Sequence, residues 1–260
     1  MTDSLPIDWR TDGDRHLWEV PAGWGQGKAT FGGLTVAAAA KLASTFTDRP
    51  LRTVQTQFLG FIEPGLVEAR VEVVREGRNT TVIEVRLFQG DSVRLLVQLA
   101  FLVMRPASIG VPSVEAPNWT EEKATPLPFL PGLTPDFTKQ LSLSFLNGAM
   151  PFSGGTEAAF GGFVDFREGG ENYDAGVQLA FLDAWPCPTT ALLKRPYPAS
   201  SLTWTAHLLA PSAPGPHAFR YRTYAAYGGA SSARGELWDS KGTLVALSDQ
   251  TMLIFDTPRE

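Results

Sequence analysis

Two segments of this chain, LTVAAAAKLA at 34–43 and AGVQLAFLDA at 175–184, consist largely of helix-forming residues yet have no continuous polar face. A helix of that kind is surrounded by protein rather than lying on a surface. Helices are therefore expected over 34–44 and 175–184, each at the centre of something that covers it. Each is succeeded by four strand-like runs. After the first helix come 51–61, 67–75, 81–88 and 93–104. In 67–75, Glu68, Arg70 and Glu72 alternate with Val67, Ala69, Val71 and Val73; in 81–88, Glu84 and Arg86 alternate with Ile83, Val85 and Leu87. Alternation with period two marks antiparallel strands with one face on a core and one in water. Pro64-Gly65 and Gly77-Arg78-Asn79 supply turns between them. After the second helix come 201–209, 218–226, 230–238 and 243–254, with Asp239-Ser240-Lys241-Gly242 as the last hairpin turn. Two more strand candidates, 138–146 and 158–167, precede that helix.

The chain is thus a repeat of one buried helix and one long antiparallel sheet. A sheet that curls around its own central helix is a hotdog, and two in tandem make a double hotdog, an α+β architecture. Seven of the 20 prolines fall between Pro106 and Pro135, in a stretch with little periodicity. That stretch reads as a linker. The expected organisation is an N-terminal hotdog at 1–110, a Pro-rich linker at 111–134 and a C-terminal hotdog at 135–260.

Composition narrows the function. The net charge of −5 disfavours a nucleic-acid partner. One cysteine, Cys187, rules out an intrachain disulfide, and with three scattered histidines (His16, His207, His217) it makes a metal site improbable. The start, MTDSLPIDWRTDGDR, carries acids and no apolar run, unlike a signal peptide. No apolar stretch approaches the ~20 residues of a membrane span. A soluble, cytoplasmic protein without membrane partners is expected. The segment AGWGQGKA at 22–29 fails as a phosphate loop at both ends, with Ala22 for the first Gly and Ala29 for the Ser or Thr. No G-x-S-x-G elbow is present, against an α/β-hydrolase.

FGGLTVAAAAKLA, VEVVREGRNTTVIEVRLFQG, LAFLDAWP, SLTWTAHLLAP and GELWDSKGTLVALSDQ occur in this order. In these segments and their spacing the chain resembles the acyl-CoA thioesterase II family of double-hotdog enzymes, over nearly its whole length except the linker. The resemblance implies an acyl-CoA substrate, no cofactor, no metal and a homo-oligomer. It also implies that Asp183, on the second helix, Ser201, on the next strand, and Gln250, on the last, hold the water that attacks the thioester. The family usually has Thr where this chain has Ser201; Thr203, two residues on, is the alternative hydroxyl and a candidate substrate-binding residue. Gly32 and Gly33, at the head of the first helix, are the other candidates for substrate binding.

Comparing the halves at the positions the resemblance picks out adds an argument from the sequence. Aligning Gly33 with Gly176 sets Ala40 against Asp183. Aligning Pro64 with Pro211 sets Val54 against Ser201, and aligning the last hairpins sets Ala100 against Gln250 to within a residue or two. A purely structural duplication has no need of three polar residues on one side and three apolar ones on the other. An Asp in an otherwise apolar helix has a raised pKa if partly buried, which suits a general base near neutrality. The ordinary alternative for all three is a solvent-facing polar residue. Two other functions compete. A hotdog hydratase or dehydratase would need a His beside the carboxylate, and AWPCPTT after Asp183 has none; a non-catalytic acyl-thioester-binding protein would not need the polar trio.

Overall fold

The computed structural model describes residues 5–106, 108–111 and 113–256. Residues 1–4, the head of the acidic N-terminal segment, lie outside the described residues, as do 107 and 112 near the linker boundary and the last four of the C-terminal half.

The first half contains β1 (Arg10–Asp12), β2 (Arg15–Val20), a small hairpin of β3 (Gly25–Gln26) and β4 (Ala29–Thr30), and helix α1 (Gly32–Ala43). Beyond the helix lie β5 (Leu51–Phe58), β6 (Gly65–Glu76), β7 (Thr80–Gln89) and β8 (Ser92–Leu102). The proline-rich segment holds the short β9 (Thr125–Pro126). The second half runs β10 (Leu141–Gly148), β11 (Ala159–Phe166), α2 (Ala175–Asp183), β12 (Ala199–Leu208), β13 (His217–Tyr227), β14 (Ala230–Trp238) and β15 (Leu244–Ile254). β1 and β2 lie where no strand is expected from the sequence alone. Among the described residues no helix is long and apolar enough to cross a membrane.

The expected pair of sheets is instead one antiparallel sheet of 13 strands, in the order β1-β2-β6-β7-β8-β5-β12-β15-β14-β13-β11-β10-β9. The halves join where β5 pairs with β12, Val54 facing Ala206 and Thr56 facing Trp204. Each half ends on a strand with an open row of N–H and C=O groups, and pairing the two edges satisfies both. Alternation within a strand does not reveal which edge it will meet, so this join is not legible in the pattern. The helices pack against one another as well as against the sheet. A Cβ on Gly33 would come 3.0 Å from Ala180 Cα, and one on Gly176 would sit 3.6 Å from Ala37 Cβ.

That reciprocal contact sets the helices in register 143 residues apart, Gly33 with Gly176 and Ala37 with Ala180. The strands keep a different offset, which their β-bulges define. The extra residue is Arg52 in β5 and Leu202 in β12, Val74 in β6 and Tyr224 in β13, each pair 150 apart. In the last strands it is Arg94 and Val245, 151 apart. An offset of 150 against 143 leaves the segment between helix and sheet seven residues longer in the second half. The proline-based alignment of the halves is therefore out by three residues. Because strand side chains alternate, an odd slip exchanges the two faces. Ser201 corresponds to Leu51, not Val54, and Gln250 to Leu99, not Ala100; Asp183 keeps Ala40 as its counterpart.

Candidate active site

Gln250 is the hub of a buried polar cluster. It projects from β15 with 5% of its surface exposed. Its Nε2 donates to Asp183 Oδ1 at 3.1 Å and to Ser201 Oγ at 2.8 Å. Its Oε1 accepts from the Tyr221 hydroxyl at 2.6 Å. The structure thus brings Asp183, Ser201 and Gln250 to one point, from three elements distant in sequence.

Each arrives there for a local reason. Asp183 is the last residue of α2, and the helix delivers it to the N-terminus of α1, in the other half. There Oδ2 lies so close to Gly32 that a Cβ on that residue would be 2.8 Å away. Only glycine admits the carboxylate at this distance from the helix. α1 begins after Phe31, which offers no side-chain cap, so the positive end of the helix and its first N–H groups stay open toward the carboxylate. Phe31 is locked by stacking on Phe137, with ring centroids 4.1 Å apart. Ser201 depends on the bulge at Leu202. Trp204, Ala206 and Leu208 point into the core, and strict alternation would turn residue 202 inward as well. The bulge resets the phase, so that Ser201 faces the cavity instead. Thr203 falls on the other side of that bulge, exposed and away from the cavity. The hydroxyl in the cluster is Ser201. Gly33 does not line the cavity, but its N–H faces Asp183.

The cluster opens on a cavity of about 430 Å³, walled by Gly32, Phe58, Phe152, Trp185, Tyr197 and Met252 among others. Much of the roof is the longer segment after α2, where Trp185, Cys187, Thr190 and Tyr197 line the space. Phe152 is held at φ 63°, in the left-handed region a bulky residue rarely adopts, by a bond from its N–H to Thr190 O. Among the described residues no histidine lines the cavity. Phe58, Phe152, Tyr197 and Tyr221 carry no local signature of a site in the sequence; only the return of the chain assembles them.

Burial raises the Asp183 carboxyl from the ordinary value near 3.8 to about 7, against the opposing effect of the Gln250 amide and the Gly33 N–H, which stabilise the ionised form. The residue keeps some accessible surface because it opens on the cavity. A carboxyl of this kind exchanges protons near neutrality, beside a hydroxyl and an amide that can hold a small polar molecule.

The family model for the acyl-CoA thioesterase C-terminal domain matches residues 120–254, and that for the N-terminal domain matches 20–104. The chain belongs to the acyl-CoA thioesterase family. Among solved structures, this thioesterase-family chain is similar to a protein of Thermobifida fusca assigned as a thioesterase II, at 24% identity, TM-score 0.85, over 96% of this chain and 97% of that one. A conserved hot dog fold protein of unknown function from Alicyclobacillus acidocaldarius matches at 18% identity and TM-score 0.88, over 99% and 98%. The acyl-CoA thioesterase II TesB2 of Mycobacterium marinum matches at 15% identity and TM-score 0.71, over 97% and 98%. These likenesses show the hot dog fold. No curated protein matches the chain by sequence.

Proposed function

We propose that this chain hydrolyses acyl-CoA thioesters to a free acid and CoA by direct attack of water, with Asp183 as general base. The observation that carries the reading is the Gln250 amide donating to both Asp183 and Ser201 at the wall of a 430 Å³ cavity, inside a chain of the acyl-CoA thioesterase family. Water held against Asp183 gives a proton to the carboxylate as its oxygen attacks the thioester carbon. The resulting oxyanion is stabilised by the Ser201 hydroxyl and by N–H groups at the open end of α1. Collapse of the tetrahedral intermediate breaks the C–S bond, and the sulfur takes the proton back from Asp183. Burial makes the carboxylate basic enough for this exchange near pH 7. For CoA itself, the exposed Arg195 is the nearby cation, its Nε donating at 2.8 Å to the hydroxyl of Tyr197, which lines the cavity. The apolar walls suit an acyl chain.

The hydratase or dehydratase reading is disfavoured by a cavity lining without histidine. A non-catalytic binding protein leaves the basic carboxylate and its amide partner without a task. The test is turnover of acyl-CoA esters of short, medium and long chain, with free-thiol detection. Thiol release without added nucleotide is expected, and no release from any chain length overturns the reading.

A further inference from the structure

We propose that Tyr221 is a positioning residue of this site: its hydroxyl fixes the orientation of the Gln250 amide and so makes Ser201 a hydrogen-bond donor toward the cavity. This rests on the proposed hydrolase reading for its consequence in catalysis, but its geometric content stands alone.

Tyr221 is 1% exposed and does not line the cavity, so it touches no substrate. Its Oη sits 2.6 Å from Gln250 Oε1. Burial raises the phenol well above its ordinary value, so it stays protonated and donates. A donated proton there is satisfied only by the amide oxygen, which directs Nε2 to the opposite side. Nε2 then has two protons for two acceptors, Asp183 Oδ1 and Ser201 Oγ. Since Ser201 Oγ accepts from the amide, its own proton is free to point at whatever occupies the cavity. With the amide reversed, Oε1 would face the ionised carboxylate, and the hydroxyl proton would be drawn to the amide.

Tyr221 reaches Gln250 across an intervening strand. In the ladder Tyr221 faces Gly235 of β14, and Gln250 faces Ala233 of β14. Ala233 is the small residue beside Gln250, while the room over Gly235 is filled by the Phe219 ring, 2.9 Å from where a Cβ would sit. Displaced by the strand offset, the corresponding four positions in the first half are Val71, Val85, Leu99 and Ile83, where Val71 faces Val85 and Leu99 faces Ile83 in the same way. The tyrosine, the glutamine and the small residues between them occur together in one half and are replaced together by aliphatic packing in the other.

The test is a double-mutant cycle on the full chain, Tyr221→Phe, Gln250→Ala and the double variant, assayed by thiol release. Tyr221→Phe removes one oxygen and keeps the ring. It is expected to lower kcat about tenfold with KM within about twofold, as loss of one oriented donor network would. In the Gln250→Ala background the same change is expected to cost less than about twofold, because Tyr221 acts only through Gln250. A structural role would cost the same in both backgrounds, and that result, or unchanged kcat in Tyr221→Phe, overturns the proposal. A second readout needs no turnover. The side-chain amide protons of Gln250, followed by NMR in ¹⁵N-labelled protein, should be slow to exchange in the wild type and fast in Tyr221→Phe. Equal protection in both overturns the proposal even if wild-type activity is absent, whereas absent activity with lost protection overturns only the hydrolase reading.

Discussion

The two halves share a strand order and the same three bulges, yet one carries the candidate site and the other its apolar counterpart. Where the second half has Asp183, Ser201 and Gln250, the first has Ala40, Leu51 and Leu99. The helix ends differ in the same sense. α1 starts without a side-chain cap, whereas the N-terminus of α2 is closed by Asp174, whose Oδ1 accepts from the Val177 N–H at 3.0 Å. The pseudosymmetric space, between Leu51 and the N-terminus of α2, is present: about 670 Å³, lined by Leu51, Leu102, Asp174, Gln178 and Leu208 among others. A cavity alone therefore does not make a site. What distinguishes the two is a buried carboxyl at the end of one helix facing the uncovered end of the other, and a longer roof after α2.

The largest effect is expected from the base. Asp183→Asn should lower kcat by roughly 10²–10⁴-fold with folding intact. Near-normal turnover in that variant would remove the distinction between the halves. Its pH dependence is set by the carboxyl raised from 3.8 to about 7. Activity should fall as pH drops through about 7, where the base becomes protonated. Stability has the opposite sign: between about 4 and 7 the folded chain holds a proton that the unfolded chain releases, so this group's contribution declines as pH rises through that window. Urea midpoints at pH 5 and pH 8 should differ less in Asp183→Asn than in the wild type.

Next in size is Gln250→Ala, with an expected loss of about 10–10³-fold in kcat, since it removes the donor shared by Asp183 and Ser201. Below that lies an attempt to convert the silent half. Ala40→Asp buries a carboxyl facing an α2 N-terminus that Asp174 already closes, at a position 2% exposed. It should destabilise by about 3 kcal/mol in denaturant unfolding and restore no turnover to Asp183→Asn. Rescue would show that a base alone suffices. The smallest effect belongs to Asp174→Ala, which uncaps α2. About 1 kcal/mol of stability should be lost with turnover unchanged; an equal loss of turnover would place α2's cap in the mechanism.

Several parts of this arrangement are legible in residues alone. The apolar runs around Ala37 and Leu179 require buried helices, and alternation in 67–75 and 81–88 requires β6 and β7. The resemblance in LAFLDAWP and GELWDSKGTLVALSDQ points to Asp183 and Gln250. The choice between Ser201 and Thr203 is not legible. It turns on one bulge, and the residues there disguise the phase shift, because the apolar Leu202 is turned out and the polar Ser201 is turned in. The slip in aligning the halves has another source: Pro64 lies six residues beyond the end of β5 and Pro211 three beyond the end of β12, so loop prolines do not carry the strand register.

The sequence by itself determined that this chain repeats and that each unit buries an apolar helix against antiparallel strands. Those are consequences of periodicity and composition, which act within a few residues. Only the tertiary structure decided that β5 pairs with β12 to make one sheet, that α2 ends at the open N-terminus of α1, and that Tyr221 reaches Gln250 across β14. These contacts join residues tens to more than a hundred positions apart. They form because unpaired strand edges, unsatisfied helix ends and buried polar atoms must each find a partner, and only the folded chain brings those partners within reach.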